Sequence, residues 1–260
     1  MELRDLLAGA ARHYHGDWSK IAGAVRNHEE YPAAQEQCLT IVDAAYPDVL
    51  RQLRFPPWVI YYEGDLDLLK QPKLTIVGSR QCSPYGAGVT EYLAAELAQR
   101  YVLVSGLARG VDGLVHETAM QAGGSTIGVI GCGLDIHYPR SNDRLYRQMK
   151  KNQLILSEYP RGTPPRKEHF PWRNRILAAL GEQIIVTQAA LRSGTMLTVN
   201  EALNLSRTVW CVPYPFGDET GAGNNLLISQ GAMILYRPEQ VQDFRPVKHR
   251  TCKDGSISVS

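Results

Sequence analysis

From Lys73 onward, short runs that are apolar at almost every position alternate with longer helix-type segments. Leu74-Thr75-Ile76-Val77 and Val102-Leu103-Val104-Ser105 are the first two such runs, and residues 126–130, 154–156, 183–187, 208–212 and 233–236 continue the series. Helices are predicted between them. The first has Ser83 as N-cap and Pro84 at its first position and runs to about Arg100. Others cover 111–122, stopping at Gly123-Gly124, then 142–151, 170–180, the segment from Thr195 to about Leu205, and 225–230. Strands without polar alternation are buried on both faces, so the alternation predicts an α/β fold: a doubly wound, Rossmann-like, mostly parallel sheet.

Before Lys73 the pattern is different. Residues 3–15, 18–25 and 33–45 read as short helices, and Trp58-Val59-Ile60-Tyr61-Tyr62 is a β-type run. The predicted organisation is a small helical N-terminal region over 1–45, a Rossmann-like domain over 46–245, and an extended or disordered tail over 246–260.

A formal net charge of +2 on 260 residues makes the whole chain nearly neutral, so an argument for binding a polyanion has to rest on a local patch. Residues 161–175 supply one: Arg161, Arg166, Lys167, Arg173 and Arg175 stand against Glu168 alone, with Phe170 and Trp172 between them. Cations neutralise phosphates and an exposed ring accepts any base, a combination suited to single-stranded nucleic acid. A second cluster, Arg140, Arg144, Arg147, Lys150 and Lys151, lies on a predicted helix and reads as a solvated face. The five cysteines form no CxxC pair, which predicts neither a zinc site nor a disulfide framework. No apolar signal core or membrane-length run is present, so a cytoplasmic protein without membrane contact is expected.

Ligands of such sheets bind where the carboxyl ends of strands meet helix N-termini. Three glycine turns occupy those ends: Gly78-Ser79-Arg80, Ser105-Gly106-Leu107-Ala108-Arg109-Gly110 and Gly131-Cys132-Gly133. Each can either cradle an anion or simply make a tight turn. Arg192-Ser193-Gly194-Thr195, at a fourth strand end, can hold a phosphate or cap its helix. Neither the dinucleotide fingerprint nor the GxxxxGK[ST] loop is present, which disfavours an NAD or ATP enzyme, and no cofactor is expected. Asp112 and His116 share a helix face but have no nucleophile placed beside them, so a structural role is expected for both, and Glu158 reads as a turn or cap residue.

Taken in order, these turns resemble the DNA-processing protein A family (DprA, also called Smf). The residues that carry the resemblance are Val77-Gly78-Ser79-Arg80 with Tyr85-Gly86; Ser105 to Asp112 with His116; Gly131-Cys132-Gly133-Leu134-Asp135 with Tyr138-Pro139; and Ser157-Glu158-Tyr159-Pro160. Phe170-Pro171-Trp172-Arg173-Asn174-Arg175, Ser193-Gly194-Thr195, Val212-Pro213 and Gly223-Asn224-Asn225 continue it, so that the match spans about 46–237. Gln188 stands where the family usually has Glu, and Tyr214 where Gly is usual.

The resemblance implies a homodimeric, non-enzymatic protein that binds and protects single-stranded DNA and loads the RecA recombinase onto it in natural transformation and homologous recombination. By the same resemblance Arg80, Lys167 and Arg173 hold phosphates, Gly106 and its neighbours offer backbone N–H groups, and Phe170 stacks a base. Asn174 then reads a base edge or orients its loop. Gly78, Ser79, Ser105, Arg109, Ser193 and Gly194 complete the expected DNA-binding set. The rival expectation is a nucleotide-hydrolysing enzyme similar to the phosphoribohydrolases, suggested by Ser193-Gly194-Thr195 with Glu201.

Overall fold

The computed structural model describes residues 2–32 and 35–246. Its nine strands are β1 (Cys38–Thr40), β2 (Val59–Gly64), β3 (Lys73–Gly78), β4 (Val102–Ser105), β5 (Thr126–Ile130), β6 (Leu154–Ser157), β7 (Gln183–Gln188), β8 (Thr208–Cys211) and β9 (Met233–Ile234). Helices α1 (Leu3–His13), α2 (Trp18–Asn27) and α3 (Asp48–Arg51) precede the regular alternation. It is built with α4 (Pro84–Leu97), α5 (Val111–Gln121), α6 (Asp143–Asn152), α7 (His169–Leu180), α8 (Gly194–Asn204) and α9 (Ala222–Ser229). The strands form one sheet in the order β1-β2-β6-β5-β4-β3-β7-β8-β9, parallel from β6 to β9 and antiparallel where β2 meets β6 and β1. This is the doubly wound, mostly parallel sheet expected from the apolar runs.

Both faces are covered. Leu74, Ile76, Leu103 and Ile185 pack under α4 and α5, through Leu93, Leu97, Val111 and Val115. Val77, Val104, Val129 and Val186 point the other way, onto Ile176–Leu180 of α7 and Val199 of α8. Strand residues of alternating parity serve opposite cores, as a two-residue side-chain period requires. The α1–α2 pair packs on Tyr61 and Ile155, next to Leu145 and Tyr146 of α6. Winding runs from β3 outward through β4, β5 and β6, then returns to place β7 on the other flank of β3. The direction therefore reverses between β3 and β7, and a crevice opens beyond their carboxyl ends.

The helix expected over 33–45 is corrected. Cys38–Thr40 is a strand, paired antiparallel with Val59–Tyr61. The apolar run at 58–62 needs a partner on its outer edge, and that long-range pairing overrides local helical preference. The tail expected over 246–260 lies, apart from Pro246, outside the described residues. Among the described residues no helix is long and apolar enough to cross a membrane.

Candidate nucleic-acid interface

The β3 turn opens the site. Ser79 closes it locally, its Oγ donating to Gln81 O at 2.9 Å and accepting from Gln81 N, which leaves Arg80 exposed at the tip. The β4 turn is laid directly against it. Gly110 has φ +68°, and an added Cβ would run into the carbonyls of Ser79 and Arg80, while Val111 N–H donates to Ser79 O at 3.1 Å. Only glycine allows this approach, and it brings exposed Arg109 beside the Arg80 turn. On the far side of β3, Gly78 is in register with Gln188. Gln188 Oε1 accepts from Ser83 N–H at 2.8 Å, fixing the entry to α4. A carboxylate here would offer the same acceptor; the amide additionally leaves Nε2 buried without a partner.

The third contributor is α7. Phe170, half-buried at its start, lies over the β5 turn, where Gly131 leaves room for its ring. The Arg80 guanidinium lies 5.4 Å from the Phe170 ring centroid, a cation–π pair that joins residues 90 positions apart. His169 anchors the helix start, with Nδ1 3.0 Å from Gly131 O and its ring stacked on Tyr159. Burial lowers its pKa. Arg161, Arg166 and Lys167 are exposed ahead of the helix, and Arg192 is exposed at the β7 end. Among the described residues no carboxylate lies within ion-pair distance of Arg80, Arg109, Arg166, Lys167 or Arg192. The rim is therefore electropositive on a chain that is nearly neutral as a whole.

Several expected contacts are placed elsewhere. Arg173 is only 4% exposed: Nη1 donates to Gly106 O at 2.7 Å and also to Val129 O, and Nε to Asn174 Oδ1 at 3.2 Å. Its charge lies behind the Gly106 turn, with the Asp112 carboxylate close by. Burial disfavours both charges and each offsets the other. Its guanidinium is thus turned into the protein and not toward solvent, where the direct phosphate contact was expected. Arg175 is also turned inward, in a two-pronged pair with Glu158 at 2.6 and 2.8 Å. Glu158, expected as a turn or cap residue, is the buried partner that pins α7 to the end of β6. Burial raises its carboxyl and Arg175 draws it back.

Asn174 is buried, with Nδ2 donating to Gly194 O at 3.2 Å, which ties α7 to the start of α8. Ser105 is fully buried, with Oγ donating to Ile76 O. Ser193 makes no side-chain cap bond to α8, and Gly194 is exposed at the helix start. His116 is sealed, with Nδ1 2.7 Å from Thr126 Oγ1.

Fold and site together define the class: a doubly wound α/β domain with an electropositive, aromatic-bearing rim at the switch point of its sheet. Residues 37–245 match the family DNA recombination-mediator protein A, and the chain belongs to that family. It is 43% identical over 202 residues to the DNA processing protein DprA of Streptococcus pneumoniae, covering 78% of this chain and 72% of that one. To the Bacillus subtilis DprA it is 38% identical over 242 residues, covering 88% and 82%. The solved S. pneumoniae DprA superposes with a TM-score of 0.78, at 38% identity over 86% of this chain and 80% of that one. The Helicobacter pylori DNA processing protein A, solved for its single-stranded DNA binding mode, gives 0.73 at 33% identity, covering 80% and 96%.

Proposed function

We propose that this protein binds single-stranded DNA in the cleft above β3, β4 and β7, protects it, and delivers it to the RecA recombinase in transformation and recombination. The observation that carries this reading is the pairing of exposed Arg80 with the Phe170 ring, at 5.4 Å and, among the described residues, without a competing carboxylate in ion-pair range. A guanidinium can hold a phosphate while the ring beside it takes a base, and this works for any sequence. The Helicobacter pylori relative, solved for its single-stranded DNA binding mode, supports the reading. Delivery makes and breaks no covalent bond, so the proposed role is not enzymatic, and it belongs in the cytoplasm, where RecA acts. The DNA contacts we assign to the surface are Gly78, Ser79, Arg80, Arg109, Lys167, Phe170, Ser193 and Gly194. Gly106, Arg173, Asn174 and Ser105 support them from behind.

The test is fluorescence anisotropy of a labelled oligothymidine across a salt series, with duplex DNA as competitor. Binding falls as salt rises, and the single strand wins the competition. Arg80→Ala and Lys167→Ala weaken binding, and each lowers the salt slope by roughly one unit. An unchanged slope in both variants removes these residues from the phosphate path. No binding at low salt rejects the DNA reading; release of free base from nucleoside monophosphates would then favour the hydrolase.

A further inference from the structure

The loop after β5 brings a second aromatic ring to the cleft. Tyr138 is 46% exposed, and its ring centroid lies 5.7 Å from that of Phe170, with the two planes tilted by 36°. Its backbone is held from below: Tyr146 of α6 donates its phenol hydrogen to Tyr138 O at 2.8 Å, and Pro139 beside it is buried. The ring is therefore presented from a fixed position. Trp172, also on α7, is used differently. Arg175 lies 4.3 Å from its ring centre and Phe55 packs against it at 5.6 Å, so it serves as a wedge in the protein.

The charges around Tyr138 favour a strand leaving in its direction. Arg140, two residues on, is exposed, and among the described residues no carboxylate lies within ion-pair range of it. It lines an open cavity of about 520 Å³ with Asp135, Ile136, His137 and Asp143. Both acids there are engaged. Asp143 is bound by His137 Nδ1 and Arg147, each at 2.6 Å, and Asp135 accepts the Gly162 N–H at 2.9 and 3.0 Å. Their repulsion of a phosphate near Arg140 is correspondingly reduced.

We propose that Tyr138 is a second base-stacking platform, taking the nucleotide next to the one on Phe170 and guiding the strand from Arg80 across both rings toward Arg140. This rests on the single-strand reading above. Two platforms tilted by 36° cannot each lie flat on bases that remain stacked on one another. Neighbouring bases must fan apart, which a single strand permits and a duplex resists.

Oligothymidines of increasing length, and oligonucleotides carrying 2-aminopurine at successive positions, test the assignment. Tyr138→Ala weakens binding of those long enough to cross both rings about five- to hundredfold, the range for loss of one base–aromatic stack, whereas Tyr138→Phe stays within about twofold. Quenching of 2-aminopurine is lost at one position in Tyr138→Ala and at the adjacent position in Phe170→Ala. Tyr138→Leu keeps apolar bulk in the loop and carries the same test should the alanine variant lose its fold. If the wild-type protein binds and Tyr138→Ala matches it at every length and position, the second platform is overturned and the single-strand reading stands. Tyr138→Phe as weak as Tyr138→Ala also overturns it, assigning the effect to the hydroxyl. No binding by the wild-type protein rejects the underlying reading, and the platform with it.

Discussion

His116 on α5 is fully buried, with its Nδ1 2.7 Å from Thr126 Oγ1. Burial pushes its pKa down to about 3, with the nearby Arg173 charge acting in the same direction. The folded protein thus keeps this imidazole neutral, while the unfolded chain protonates it near pH 6.5. Between those values the unfolded state binds more protons, so the stability His116 contributes is present above about pH 6.5 and is lost as pH falls toward 3. Each unit in that window costs about 1.4 kcal/mol from this one group. Urea unfolding at a series of pH values should show the loss, and His116→Asn should flatten it relative to wild type. Equal slopes for the two proteins would assign the acid sensitivity to other groups. The same sealing takes His116 out of proton-transfer chemistry at neutral pH.

At the scale of elements, the cleft depends on how closely its turns and α7 approach one another. Gly106 lies where the β4 turn meets α7, and an added Cβ there would overlap Arg173 Nη1 and the Asp112 carboxylate. The Gly106 carbonyl is itself an acceptor for Arg173. Gly106→Ala should therefore push the guanidinium out of its carbonyl cradle and shift the start of α7, which carries Phe170. A destabilisation of about 1–3 kcal/mol is expected, as for other overpacked sites, together with weaker oligothymidine binding. Thermal melting and anisotropy measured on the same sample would check both effects. A variant with wild-type melting but lost binding would show that the glycine serves the ligand and not the α7 junction.

For the molecule as a whole, the two ends of the sheet are finished differently. At one end all three residues of β1 are buried, and Arg4 reaches Cys38 O at 3.4 Å. At the other end β9 is open, with Met233, Ile234 and Tyr236 between 42% and 63% exposed. The Gln240 side chain bonds the outward Ile234 O and Tyr236 N–H, so what this end offers another chain is its exposed apolar side chains. The homodimer that the family resemblance implies is expected to use that apolar end. Light scattering is expected to give twice the 28.9 kDa mass of the chain, and Ile234→Lys to return it to a single chain. A wild-type protein that scatters as one chain at micromolar concentration would exclude the dimer, and with it any second DNA path on a partner copy.

The alternation of apolar runs and helices from Lys73 was legible from the chain by itself, because strands buried on both faces must be apolar throughout and because Ser83-Pro84 and Gly123-Gly124 mark helix ends by local chemistry. The glycine turns at strand ends were legible for the same local reason. Tertiary structure alone decided which cations of the basic stretch meet solvent. Lys167 remains outside, whereas Arg173 and Arg175 turn inward to the Gly106 and Val129 carbonyls and to Glu158, acceptors supplied by other strands. It alone placed Arg80 over Phe170, set Tyr138 beside that ring, and turned Cys38–Thr40 from an expected helix into a strand. Each of these depends on a partner distant in the chain. Periodicity and caps report only on neighbours a few residues away, whereas a buried guanidinium or an edge strand is positioned by the groups that folding brings to it.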